Sequence, residues 1–192
     1  MSFDRQLGIG KVGESLIARF MMRRGNAVLP VYEVEKGHGK GPQFFLAEQS
    51  LVAPDMLVFT ASGQLFIEAK HKSVFTWYRK NQCWTTGIDL RHYLDYLRVG
   101  RASRIPVWLM FYHRESRPSD ADLRMGCPRI CPSGLYGGEI ASLSARESHR
   151  TTSLHSAVGI KGHGRSGMVY WAERSLRKIA EKAEIESEME AA

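Results

Sequence analysis

A mixed α/β fold, a central sheet of about four or five strands flanked by helices, is predicted by three features of this 192-residue sequence. Apolar residues recur at helical spacing near the N-terminus and again after residue 88. Two apolar runs in the middle are separated by a short glycine-containing turn. A further run from residue 106 is almost wholly apolar, as a strand buried on both faces would be. Such faces must bury against one another, and the chain is long enough for one domain with its own core.

Taken in order, Lys11 to about Arg24 reads as a helix whose apolar face is Val12, Leu16, Ile17, Phe20 and Met21, stopped by Gly25-Asn26. Ala27 to Tyr32 suggests a short strand, and Pro30 sends it to a sheet edge or an irregular position. Lys36 to Gly41, with three glycines and two lysines, reads as a mobile loop. Met56 to Thr60 and Gln64 to Ala69, joined by Ala61-Ser62-Gly63, form a hairpin. Ile88 to about Val99 is a second helix with Leu90, Tyr93, Leu94 and Leu97 on one face, and Pro106 to Tyr112 is the buried strand. Residues 114 to 133 read as a long surface loop, Leu135 to Leu143 as a strand, and Ser144 to Gly167 as flexible. Met168 to Trp171 is a last strand before a helix from Glu173 to about Glu186 that frays into an acidic tail, 181–192, without fixed structure.

The formal net charge is +7, yet the last twelve residues hold five glutamates against one lysine. The first 180 residues therefore carry 26 basic and 15 acidic groups, an excess suited to a polyanionic partner through phosphate contacts and counterion release. No apolar run approaches the roughly 20 residues of a membrane span, and the N-terminus lacks the layout of a signal peptide. A cytoplasmic protein without a membrane partner is expected. Cys83, Cys127 and Cys131 are too few for a disulfide framework, and Cys127-Pro-Arg-Ile-Cys131 with the distant His149, His155 and His163 lacks the paired spacing of a zinc site.

The hairpin carries the chemistry. Pro54-Asp55 opens its first strand and Glu68-Ala69-Lys70 closes its second, so antiparallel pairing brings Asp55, Glu68 and Lys70 to one end. Strand alternation points Glu68 and Lys70 to one face and Ala69 to the other, toward a core. Two convergent carboxylates repel unless a cation lies between them, and hard oxygen ligands suit Mg²⁺, with Mn²⁺ as a substitute. The Ala69 carbonyl is a further candidate ligand. Lys70 is suited to orient or deprotonate a water, or to stabilise developing negative charge.

This arrangement resembles the PD-(D/E)xK nuclease superfamily, most nearly its small resolvase-like and phage-type (VRR-NUC-like) endonucleases, over roughly residues 8 to 112. The resemblance implies a restriction-endonuclease-like core that continues into the C-terminal strands and helix, a single nuclease domain over the chain. It also implies divalent-metal-dependent hydrolysis of DNA phosphodiester bonds, with branched or junction DNA as a substrate, and a homodimer, although no sequence feature marks a dimer surface. The family pattern places a glutamate on an upstream helix, which makes Glu14 a candidate metal ligand; Gly13, in the apolar stripe beside it, would let that helix approach the sheet closely. Some relatives carry a glutamine and a tyrosine after the motif. Gln82 is the candidate glutamine, while Thr86 stands where the tyrosine is expected.

Further candidates for the site or for DNA contact are Tyr93, Tyr96, Arg91 and Arg98 on the second helix, together with Lys72, Arg79 and Lys80. Trp77-Tyr78-Arg79-Lys80 interleaves aromatic and basic residues as nucleic-acid surfaces do, and Trp77 and Trp84 are equally suited to anchor a core. His71 is expected to face away from the metal. Two other functions are alternatives: a module of this fold that binds DNA without cutting it, against which the presence of Asp55, Glu68 and Lys70 together argues, and an RNA-processing nuclease, which the same residues fit.

Overall fold

The computed structural model describes residues 3–31, 42–151 and 167–190, with side chains from residue 12 to residue 187. The expected loop Lys36 to Gly41, and 152–166 of the stretch expected to be flexible, lie outside them. Helix α1 (Phe3–Arg23) leads into β1 (Ala27–Pro30), β2 (Gln43–Phe45), β3 (Ser50–Val52), β4 (Met56–Thr60), β5 (Gly63–Lys72), β6 (Thr76–Tyr78) and β7 (Cys83–Asp89). There follow α2 (Leu90–Ser103), β8 (Val107–His113), α3 (Asp120–Arg124), β9 (Gly134–Glu139), α4 (Ile140–Leu143), β10 (Glu147–Thr151), β11 (Met168–Ala172), β12 (Arg177–Ala180) and α5 (Lys182–Glu190).

The fold is mixed α/β. A central sheet of six strands runs β1-β4-β5-β8-β9-β12, parallel between β5 and β8 and antiparallel elsewhere. It is wider than expected, because Arg177–Ala180 pairs with β9 as an edge strand rather than continuing a helix from Glu173. The C-terminal helix is α5, inside the segment expected to lack structure. Its Ile185 is fully buried and its Glu184 pairs with Arg24, just past the end of α1, at 2.6 Å, so an apolar anchor outweighs the tail's charge repulsion.

Two cores form, one on each face of the sheet. Leu16, Ile17, Phe20 and Met21 of α1 pack with Met56, Val58, Ile67, Ala69, Met110 and Tyr112. Val12, expected in the same stripe, is instead exposed, lying a turn beyond the contact with the sheet. On the other face, Phe66, Leu109 and Phe111 meet Tyr93, Tyr96 and Val99 of α2. β8 is thus buried on both faces, as its unbroken apolar run requires. Leu94 of α2 points outward; the buried face turns through Tyr93, Asp95, Tyr96 and Val99 because the helix also packs on β3.

A second, four-stranded sheet, β10-β11-β7-β6, was not expected. It pairs strands distant in sequence, Thr86 with Trp171 for example, and covers α2 with Trp84, Ile88, Val169 and Trp171. The Ile88 start expected for the second helix belongs to β7. Asp89 caps α2 by accepting a 2.8 Å hydrogen bond from the Arg91 N–H. Likewise the expected loop 114–133 contains α3 and a buried Cys131, and the expected strand 135–143 ends at Glu139, where α4 begins.

Candidate active site

The hairpin has unequal arms. β4 and β5 pair from Thr60 opposite Gly63 to Met56 opposite Ile67, with Thr60 Oγ1 donating to the Gly63 carbonyl and Gly63 at φ +137° closing the turn. Beyond Ile67, β5 continues alone on this side to Lys72. The Ala69 N–H, which would otherwise lack a strand partner, donates to Asp55 Oδ2 at 2.8 Å. Asp55 therefore caps the open end of the hairpin and its carboxylate is held beside Glu68.

Glu68 and Lys70 share the α2-facing side of β5, while Ala69 is buried in the α1 core. The Glu68 side chain is almost entirely buried, at 1% exposure, and its Oε1 is paired with the Lys70 ammonium. Its Oε2 is buried with no hydrogen-bond partner. A buried carboxylate oxygen left in that state is costly, and a further donor or a cation would relieve it.

The charges are strongly coupled. Burial, with the neighbouring Glu68 carboxylate, pushes Asp55 up to about 8, against the opposing pull of Lys70; Glu14 pushes in the same direction. Burial disfavours the Lys70 ammonium, but Glu68, Asp55 and Glu14 outweigh it and hold Lys70 above the ordinary lysine range. Glu14 thus acts on both groups from α1. Its reach depends on Gly13, where an added Cβ would lie 2.5 Å from the His71 Cβ, so no larger residue admits the same approach of helix to strand. His71 faces α1 and stacks on Tyr112, away from Glu68.

Asp55, Glu68 and Lys70 line a cavity of about 220 Å³ with Pro42, Gln43, Val52, Ala53, Arg91, His92 and Tyr96. One wall is acidic and comes from β4 and β5. The opposite wall comes from the first turns of α2 and carries the cation Arg91 and the imidazole of His92. Tyr96, one turn past His92, is buried beside Glu68, and burial, the Glu68 charge and a hydrogen bond to that carboxylate hold its hydroxyl well above the ordinary range. Asp95 next to it ties α2 to β3, accepting from the Val52 N–H at 3.2 Å.

No family model matches the chain and no curated protein matches it in sequence. Among solved structures, one that is similar comes from an archaeon. It is Hjc, a Holliday junction resolvase from the archaeal hyperthermophile Archaeoglobus fulgidus, at a TM-score of 0.47 and 8% identity over 86% of this chain and 90% of that one. The functional reading accordingly rests on this chain's own residues.

The other candidates divide. Arg91 and Tyr96 line the cavity. Lys72 is next on the same face of β5, half-buried, and burial with the nearby Lys70 charge lowers it to about 8. Tyr93 is no surface contact: it is buried, donates to Glu147 Oε1 at 2.6 Å and meets Trp171 edge-on, tying α2 to the second sheet. Arg98 is exposed and pairs with Asp95 at 3.4 Å. Gln82, Arg79 and Lys80 sit in the β6–β7 turn and do not line the cavity, because the strand register carries that turn to the edge of the second sheet. His92, Pro42 and Gln43 were missed. His92 alone had a signal, four residues before Tyr96 and so on the same helix face; Pro42 and Gln43 lie at the start of β2, a stretch to which the sequence assigns no element.

Proposed function

We propose that this chain is an endonuclease that requires Mg²⁺, or Mn²⁺ in its place, and hydrolyses DNA phosphodiester bonds at the cavity of Asp55, Glu68 and Lys70. The observation that carries the reading is the buried Glu68 carboxylate, half satisfied by Lys70 and open at Oε2, beside the second carboxylate of Asp55. Burying two carboxylates together is unfavourable without a cation between them, and an all-oxygen donor set selects a hard divalent ion. Asp55, Glu68 and the Ala69 carbonyl would hold it, with Glu14 as an outer ligand. Since the Ala69 N–H points to the side that β4 vacates, strand geometry turns its carbonyl to that side as well. When bound, such an ion polarises the scissile phosphate and lowers the pKa of a coordinated water.

The remaining roles belong to side chains. Lys70, anchored by Glu68, orients the attacking water and offsets the negative charge that grows on the phosphate. Arg91 and His92 hold the phosphate from the opposite wall. Tyr96 and the apolar packing behind it keep bulk water from Glu68, which strengthens every charge interaction in the cavity.

Incubation of plasmid, linear duplex, branched DNA and RNA with the protein, with and without Mn²⁺, tests the proposal. Cleavage of DNA only with the metal is expected, and Asp55→Asn and Glu68→Gln should abolish it while leaving the fold intact. Undiminished cleavage in EDTA, or wild-type rates in both variants, overturns the assignment.

A further inference from the structure

A second concave surface lies on the other sheet. Trp77, Arg79 and Gln82 from the β6–β7 hairpin face Met125, Gly126, Cys127 and Pro128 across a groove of about 600 Å³. The two walls are tied together: the buried Asp122 of α3 accepts from the Trp77 N–H at 3.1 Å and from the Ser119 hydroxyl at 2.7 Å. That turns the only carboxylate of residues 121–130 inward, away from the groove. The stretches 77–83 and 124–130 then contain Arg79, Lys80, Arg124 and Arg129 and no acidic residue, and all four cations are exposed. Gln82 holds φ +46°, a left-handed conformation in which a side chain other than glycine or asparagine is strained.

We propose that this groove is a nucleic-acid site separate from the Asp55 cavity, and that it takes an unpaired strand. Trp77, half-buried and set edge-on to Trp84 at 5.0 Å, lines one wall and supplies an aromatic surface on which any base can stack. Arg79 lines the groove and with the flanking cations tracks the phosphates, and the Gln82 amide reaches a base edge. Duplex DNA hides its base faces and offers this groove phosphates only. Preference for a single strand is therefore the signature that separates the site from a merely basic patch.

The test measures fluorescence anisotropy of a labelled oligothymidylate of about a dozen nucleotides, and of a duplex of equal length, in EDTA. No cleavage is needed, so a chain that failed to cut DNA would leave this measurement standing. Arg79→Glu and Trp77→Ala should weaken oligothymidylate binding roughly tenfold or more, and duplex binding by clearly less. Gln82→Gly should weaken it several-fold while its unfolding temperature stays level or rises, which excludes misfolding as the cause. Cleavage of linear duplex at the Asp55 cavity should be unchanged in Gln82→Gly. Undiminished oligothymidylate affinity in Arg79→Glu and Gln82→Gly would mean the groove serves another ligand, such as a protein segment, and overturns the proposal. Equal losses for single strand and duplex overturn it too.

Discussion

The β4–β5 hairpin and the β6-β7-β11-β10 sheet are both built from short strands, but they are assembled over different distances. In the hairpin each residue pairs with one three to eleven positions away around the Ala61-Ser62-Gly63 turn. In the second sheet β7 pairs with β11, roughly eighty residues further on. The hairpin bears Asp55, Glu68 and Lys70, whereas the second sheet presses Trp84, Val169 and Trp171 onto α2 and so fixes the helix that supplies the opposite wall of the cavity. Chemistry sits on the local element and its mechanical support on the non-local one. Changes in the first should alter rate at constant stability, and changes in the second should do the reverse.

Lys70 gives the largest effect. Lys70→Ala should slow single-turnover cleavage by about 10²–10⁴-fold with saturating enzyme, while metal and DNA affinities change little. Arginine should substitute poorly, since a planar guanidinium does not reproduce a compact ammonium against the buried Glu68. Affinity falling in step with rate would reduce Lys70 to a phosphate contact. Gly87 in β7 probes the other region. A Cβ there would run into the Val169 carbonyl oxygen and the Tyr170 ring, so Gly87→Ala should cost about 2–3 kcal/mol in urea unfolding. Its remaining folded fraction should cut DNA at the wild-type rate; a slower rate would show that the support reaches into the chemistry.

The smallest effect belongs to His113, at the junction of the two regions. It is fully buried and stacks on Phe75 at 3.6 Å, neither ring nitrogen has a partner in hydrogen-bond geometry, and burial with the nearby Lys72 charge lowers it to about 3. The unfolded chain, with an ordinary value of 6.5, takes up this proton first, so the neutral ring favours the folded state fully above about pH 6.5, less as pH falls toward 3. His113→Phe should be neutral or slightly stabilising at pH 7. Near pH 5 it should exceed the wild type by on the order of 1–2 kcal/mol, read from thermal melts across pH. Parallel acid limbs for the two proteins would contradict this.

The same contrast explains what could be read from the chain. The hairpin, the doubly buried β8, the Pro30 edge strand and the Ala69 face follow from period, turn chemistry and one proline, and each is correct in the structure. Cys83-Trp-Thr-Thr-Gly-Ile-Asp89 and Glu147-Ser-His-Arg-Thr151 carry no comparable signal, because their strand character depends on partners brought by the fold. Among the site candidates, Asp55, Glu68 and Lys70 converge through neighbouring residues alone. Tyr93 and Tyr96 are three apart on one helix, and only the second sheet decides that the first turns to Glu147 and the second to Glu68.

The hydrogen bond from the Ala69 N–H to Asp55 makes one backbone amide an internal reporter. In a ¹⁵N-correlated NMR spectrum its resonance depends on how much charge that carboxylate keeps, so amidation in Asp55→Asn or sharing with a divalent ion should move it. The Phe66 amide, bonded to the Pro106 carbonyl, should stay in place. Occupancy of the cavity would then be readable residue by residue, in the absence of any nucleic acid and without turnover.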